Sequence, residues 1–521
     1  MRWIHPLSAD LREPADVLGG KAHGLVALLR LGLPVPPGFV IGTAACRAFL
    51  RDGRLPDGLT EELAAAVTAL EAATDRRFGG RRFDGRRPLL VAVRSGAAVP
   101  MPGMMATVLD VGLTGGAAEA LVAETGEPEF VRDSRLRLLT GLVAAVTGRP
   151  ADPADPAGSG GSGGSDGERL AAAAEAVRRH LGEPVLDDAR EQLAQSVAAV
   201  FRSWDSPRAR TYRALNGIPD GLGTAVTVQA MVFGNRGRHS GTGVAFSRDP
   251  ATGEPVPRGD VLFGRQGEDV VSGGAAVRPL ADLAAQEPRV MAGLLEALEL
   301  GERHCRDACY LEFTFEAGRL WLLQLRAGRF AGAAGARVAV DLADRGVISR
   351  DEALRRVSPG RLRDAATPRI ALADDTDLLV RGLGASPGVA GGRVALTADA
   401  AVRMAADGPV VLVRPQTSPL DLHGLAAAAG VLTALGGPAS HAAVVARAMG
   451  RPAVVGAAGL AVDVAGGTLR VGARTVPEGT VVTLDGGLGL AVLGSPPVAA
   501  AADDPYLRRF LAWADEAAAG S

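Results

Sequence analysis

The chain has 521 residues, 47% of them apolar, and its 56 basic side chains nearly cancel 58 acidic ones, leaving a formal net charge of −2. That balance excludes the long-range field that draws proteins to nucleic acid or anionic membranes. No apolar run approaches the roughly eighteen residues of a membrane span, and the opening MRWIHPLSADLREPAD lacks the apolar core of a secretory signal. The three cysteines, Cys46, Cys305 and Cys309, form no even disulfide framework, and Cys305/Cys309 has no second pair to complete a zinc site. These features point to a cytoplasmic protein of several domains.

In chain order, residues 1–150 mix helical patterns such as LTEELAAAVTALEAATD with short apolar strands, GFVIGT and PLLVAVRSG. The Pro/Gly/Ser/Asp tract at about 149–168 has nothing to pack and reads as a flexible insertion. A helix is expected in LDDAREQLAQSVAAVFRSW, then strand-rich sequence from about 222 to 330, including CYLEFTF and RLWLLQLR joined by the turn EAG. Within it, GNRGRHSGTGV is a Gly-rich segment that a β-hairpin explains as well as a ligand loop does. Residues 331–380 read as a helical linker, 381–497 as short strands with Gly-rich turns (GRVAL, PVVLVR, GVLTA, PAVVG, TVVTLDG), and 498–521 as a terminal amphipathic helix.

Two positions stand out chemically. Of the 56 basic residues only Lys21, in LGGKAHG, is a lysine. Lysine differs most from arginine where a compact charge approaches a phosphate. The second is His441, in GGPASHAAVVARAMGRP. Ser440 is a good N-cap, helix formers follow, and Gly450 and Pro452 stop the run, so His441 falls in the first turn of a helix. A helix N-terminus suits a phosphoryl group and favours neutral imidazole. From the residues alone, a capping or structural histidine and a phosphate-accepting one both remain open.

GGPASHAAVVARAMGRPAVVG resembles the phosphohistidine motif of the pyruvate phosphate dikinase family. LGGKAHGLVALLRLGLPVPPGFVI, VAVRSGAAVPMPGMMATVLDVGL, SGTGVAFSRDPATGE and LEFTFEAGRLWLLQLRAGR resemble further signatures of that family, in its order, over essentially the whole chain. The resemblance implies an α/β multidomain fold: an ATP-grasp nucleotide-binding domain (1–330), then a swivelling β/α phosphohistidine domain (381–497). It also implies site residues. Lys21, Arg94 and Arg137 match phosphate-contacting cations, and Met101 and Gly103 lie in the loop over the phosphates. Glu312, Gln324 and Arg326 complete the nucleotide site, with Glu312 and Gln324 as ligands of Mg²⁺. Two positions depart from the pattern: Tyr310 stands where the family has an acidic residue, and Leu325 where it has threonine. Ala439 stands where plant dikinases carry a regulatory threonine, so that control is not expected.

The implied chemistry is ATP-dependent phosphorylation of His441, with the β-phosphoryl reaching histidine and the γ-phosphoryl going to inorganic phosphate. The histidine domain would swing on linkers around 331–385 and 495–505. Beyond the last helix the family continues into a barrel for phosphoenolpyruvate or pyruvate, for which this sequence has no counterpart. Three acceptor arrangements are therefore expected: a separately encoded phosphoenolpyruvate/pyruvate-binding partner, a small molecule as in rifampin phosphotransferases, or none, in a non-catalytic nucleotide-binding regulator. The linker at 331–380 is short for an inserted substrate domain, which favours the first over the second.

Overall fold

The computed structural model describes residues 2–79, 87–99, 101, 104–148, 165–267, 277–330, 332–357, 369–371, 376–437, 439–472, 474–499 and 504–519. The chain divides into two compact units: Met1–Val232 with Trp321–Gln324, and Phe233–Leu320 with Leu325–Ser521. The continuous domain expected over 1–330 is thus split near residue 232. Most of the insertion expected at 149–168 lies outside the described residues. Its last residues are not irregular, however: Ser165 caps a helix at Asp166–Leu181 through a reciprocal box with Glu168.

The first unit is built on a five-stranded antiparallel sheet, in the spatial order Ile4–Pro6, Gly38–Ile41, Ala225–Ala230, Val91–Gly96, Thr107–Val111. The helix Ala15–Arg30 packs on its central strands through Leu18, Ala22, Leu25 and Leu28, all at most 1% exposed. The helices Pro128–Thr147 and Ala189–Ser203 pack against the edge strand Thr107–Val111. The helix expected in LDDAREQLAQ begins only at Ala189. Asp188 leaves the helix to accept hydrogen bonds from the Arg190 and Glu191 amides, the use for which a short carboxylate is suited.

The second unit contains two main sheets and a small helical cluster. The first sheet runs Arg278–Pro279, Arg258–Phe263, Gly241–Phe246, Cys309–Glu316, Arg319–Ala327. Gly241 and Gly243 lie under the rings of Phe315 and Phe313, where an added β-carbon would come within 2.5 Å of either ring. The glycines of SGTGV therefore make room for aromatic packing in a hairpin strand.

The helices Gly332–Asp344 and Arg350–Arg356, expected as linker, bury Ala336, Val340 and Ile348 against Leu507, Phe510 and Trp513 of the terminal helix Pro505–Ala519. Arg248, 1% exposed, fastens this cluster to the sheet by pairing with Glu302 at 2.8 Å and Asp341 at 2.7 Å. So residues 332–357 are packed structure. The chain leaves this cluster and returns to it beside a two-stranded ribbon, Arg369–Ile370 paired with Val498–Ala499. Val498–Ala499 is accordingly strand, and the terminal helix starts later than the residue 498 read from sequence.

The histidine-bearing sheet has eight strands, in the order Leu378–Arg381, Leu490–Leu493, Val481–Asp485, Val389–Ala395, Val410–Arg414, Gly430–Thr433, Ala453–Val455, Leu383–Ser386. It begins at Leu378, inside the segment read as linker. The strands from Val389 to Val455 pair in parallel, and in Val410–Arg414, Gly430–Thr433 and Ala453–Val455 nearly every residue on both faces is buried, which explains their apolar runs.

Replacing Arg248 by Met removes the buried cation that Glu302 and Asp341 share and leaves them only the half-exposed Arg345. We expect unfolding stability to drop by about 3 kcal/mol, read from urea titration of the variant against wild type.

Candidate functional site

The histidine helix, His441–Ala448, is the crossover between the parallel strands Gly430–Thr433 and Ala453–Val455. Its N-terminus opens at the carboxyl ends of those strands, where groups on neighbouring turns converge. Thr417 follows the adjacent strand Val410–Arg414 and arrives at the same end. Its Oγ1 lies 3.2 Å from His441 Nδ1. His441 is 6% exposed, and its Nε2 has no hydrogen-bond partner among the described residues. One ring nitrogen is thus held and the other left available.

Burial pushes the imidazole pKa down to about 4, opposed only in part by the nearby Asp421 carboxylate. The ring is therefore neutral throughout the physiological range. Asp421 itself is tied back: it accepts from the Ser418 amide at 2.8 Å and lies 3.4 Å from Arg414. Ser440 occupies the N-cap position with extended backbone, but its side chain makes no capping bond, and its buried hydroxyl has no partner among the described residues. Sequence alone identified the histidine but not Thr417. Twenty-four residues separate them, and only the parallel register brings them together.

The turn before the helix meets the first sheet of the same unit. The Asp260 carboxylate sits against Gly437, where a β-carbon would be 2.1 Å from Oδ2, and it accepts a hydrogen bond from the Ala439 amide. Burial raises the Asp260 pKa to about 6, opposed by the Ala439 amide and the Arg447 guanidinium.

The nucleotide-site residues read from the sequence fall into two groups. In the first unit, Gly19 adopts φ 75° and ψ 156° and breaks the helix Ala15–Arg30, so that Lys21 opens its second segment. A β-carbon at Gly19 would lie 1.6 Å from the Gly96 carbonyl oxygen, and the Gly20 amide donates to the Ala97 carbonyl at 2.9 Å. The two glycines before Lys21 therefore let its backbone press onto the end of the strand that carries Arg94. Arg94 donates from Nη1 to the Leu323 carbonyl at 3.0 Å. Arg137 lies on the helix packed against the neighbouring strand, 3.7 Å from Asp133 one turn earlier. Met101 is buried, whereas Gly103 lies outside the described residues. Gln324 belongs to the short segment that groups with this unit.

In the second unit, Glu312 pairs opposite Val244 and shares a face with Tyr310, whose hydroxyl is 3.5 Å from its Oε1. Arg326 stacks its guanidinium 4.0 Å above the Tyr310 ring. Among the described residues no cluster of three His, Cys, Asp or Glu side chains could cage a metal. Glu312 supplies a single carboxylate. That suits a Mg²⁺ ion held mainly by nucleotide phosphates, which needs only one or two protein oxygens, and not a dedicated protein site.

A family described as pyruvate phosphate dikinase, AMP/ATP-binding domain, matches residues 15–77 and 53–280, more than half of the chain between them. The chain belongs to the pyruvate phosphate dikinase family. Residues 406–489 match a second family, described as PEP-utilising enzyme, mobile domain, which encloses Thr417 and His441.

The chain is 40% identical over 544 residues to a pyruvate, phosphate dikinase of Rhizobium meliloti (strain 1021), covering 99% of this chain and 60% of that one. It is 37% identical over 532 residues to the Clostridium symbiosum enzyme of the same name, with the same coverage. Against pyruvate, phosphate dikinase 2 of Oryza sativa subsp. japonica it is 40% identical over 516 residues, 96% of this chain and 58% of that one. The chain thus spans about 60% of the length of these dikinase relatives.

Below pH 6.5 an unfolded His441 takes up a proton that the folded one refuses until about pH 4. It should therefore cost stability progressively as pH falls through that window, and none above it. Asp260 has the opposite sign, because its raised folded pKa adds stability as pH falls from about 6 towards 3.8. The difference between wild type and His441→Gln isolates the first effect. Their stability curves should diverge in slope between pH 6.5 and 4 and run parallel at pH 7–8, as read by urea titration.

Proposed function

We propose that this chain is an ATP-dependent phosphotransferase that phosphorylates its own His441 at Nε2 and passes the phosphoryl group to an acceptor site outside residues 1–521. The observation that carries this reading is the state of the imidazole: neutral, held through Nδ1 by Thr417, with Nε2 unpartnered at a helix N-terminus. With the proton on Nδ1 and donated to the Thr417 hydroxyl, the Nε2 lone pair is free to attack phosphorus. The N–P bond forms as the bond from that phosphorus to its leaving oxygen breaks. A positive helix end and the unpartnered Ser440 hydroxyl favour the anion that results.

Lys21, Arg94, Arg137 and Arg326 would bind and orient the triphosphate, and their charge would offset what accumulates on its oxygens during transfer. Backbone at Met101–Gly103 would cover the phosphates. Glu312 and Gln324 would hold Mg²⁺, which when bound neutralises phosphate charge. The family resemblance of the sequence implies that the phosphoryl reaching His441 is the β one and that inorganic phosphate takes the γ, and we place the final acceptor, pyruvate or phosphoenolpyruvate, on a partner. A cytoplasmic location fits these metabolites.

The test is incubation with ATP labelled at the β or the γ phosphorus, with Mg²⁺ and with or without inorganic phosphate. The expected result is acid-labile label from the β position, absent in His441→Ala. Thr417→Val should lower the labelling rate by about tenfold to a hundredfold, the range lost when an orienting partner of a reactive imidazole is removed. No label under any condition would leave a nucleotide-binding regulator, the reading to which Tyr310 beside Glu312 lends itself.

A further inference from the structure

Thr417 holds the Nδ1 side of His441, and the turn that follows Thr417 is closed on a single buried carboxylate. Between the strand Val410–Arg414 and the short helix Leu422–Ala427, the Ser418 amide donates to Asp421 Oδ2 at 2.8 Å. The Ser418 hydroxyl donates to the same oxygen at 3.2 Å and accepts from the Leu420 amide, also at 3.2 Å. The Asp421 amide returns to the Ser418 carbonyl at 2.9 Å, and Pro419 fixes one φ angle inside the turn. The second carboxylate oxygen lies 3.4 Å from Arg414 Nε, an ion pair without hydrogen-bond geometry. Arg414 is itself anchored, donating from Nη1 to the Leu396 carbonyl at 2.9 Å.

The same arginine marks where two chain segments stay together beyond their strands. Its carbonyl accepts from the Ala434 amide at 3.1 Å, and the Pro415 carbonyl accepts from the Leu435 amide at 2.9 Å. One segment then leads to Thr417 and the other to His441. Asp421 is only 7% exposed, and a surface turn has no need of a buried carboxylate, which is costly to desolvate. We propose that Asp421 is a positioning residue for the phosphoryl-accepting histidine: anchored by Arg414, it closes the turn that holds the Thr417 hydroxyl against Nδ1. Imidazole in water carries its proton more often on Nε2, so the Nδ1–H form that leaves the Nε2 lone pair free has to be selected by an acceptor at a fixed place. Opening the turn frees Thr417 and returns the ring to the unreactive tautomer. This deepens the phosphotransferase reading and rests on it for its purpose, but the tautomer is read without any transfer.

The experiment is ¹⁵N NMR of the full chain labelled at histidine, with His441→Gln assigning the signal. Wild type should show the Nδ1–H tautomer at neutral pH. In Asp421→Ala the signal should shift to a mixture of tautomers, and the rate of β-phosphoryl labelling should fall about tenfold to a hundredfold, as for Thr417→Val. The KM for ATP should stay within about twofold, because the loss falls on the reacting ring and not on nucleotide binding. If Asp421 acts through Thr417, the double variant labels no more than about threefold more slowly than Thr417→Val alone. Asp421→Asn keeps an oxygen for the Ser418 amide and should remain within about threefold of wild type. Ser418→Ala removes the hydroxyl half of the turn, should slow labelling about threefold to fivefold, and carries the test where Asp421→Ala does not fold. A wild-type tautomer in the variant that folds overturns the proposal. So does a loss in Asp421→Asn as large as in Asp421→Ala, or a double variant whose losses multiply. The expected tautomers without any β label would overturn the phosphotransferase reading and leave the positioning role standing.

Discussion

The candidate site depends on keeping one imidazole neutral and pointed. Burial alone would accomplish the first at the cost of an unsatisfied polar ring. The contact with Thr417 satisfies one nitrogen and orients the other, and it exists because two parallel strands end side by side. The Gly430–Thr433 strand delivers the helix that begins at His441, and Val410–Arg414 delivers Thr417. Asp421 lies close enough to oppose the desolvation of the ring, yet its oxygens are spent on Ser418 and Arg414. A free carboxylate in its place would hold a proton on the ring and take away the lone pair.

A second constraint acts on the backbone around Lys21. The approach of the helix to the end of the Val91–Gly96 strand is too close for any β-carbon at position 19, and its dihedrals lie where only glycine is comfortable. The pair of glycines thereby fixes where the single lysine emerges. Near His441 the same device recurs at Gly437, whose missing β-carbon leaves room for the Asp260 carboxylate. In both places glycine serves close approach.

The packing of residues 332–357 revises the expected linker. The two helices are bolted to the first sheet of their unit through Arg248 and share a core with the terminal helix. The Arg369–Ile370/Val498–Ala499 ribbon sets the two chain crossings between this cluster and the histidine-bearing sheet next to each other.

Much was legible in the sequence. The apolar runs PVVLVR, GVLTA and PAVVG are strands because runs buried on both faces need no alternation. The histidine helix starts and stops where its Ser440 and Gly450 say it should. The shared face of Tyr310 and Glu312 follows from strand alternation. What the sequence could not disclose are contacts between residues far apart along the chain. Thr417 as the partner of His441, Asp260 under the Gly437 turn and the shared cluster of Tyr310 and Ala439 each depend on strand order and register. Periodicity and capping are local properties, legible within a dozen residues. The neutral imidazole and the packing around it are properties of the tertiary structure, because desolvation and register exist only once distant segments have packed.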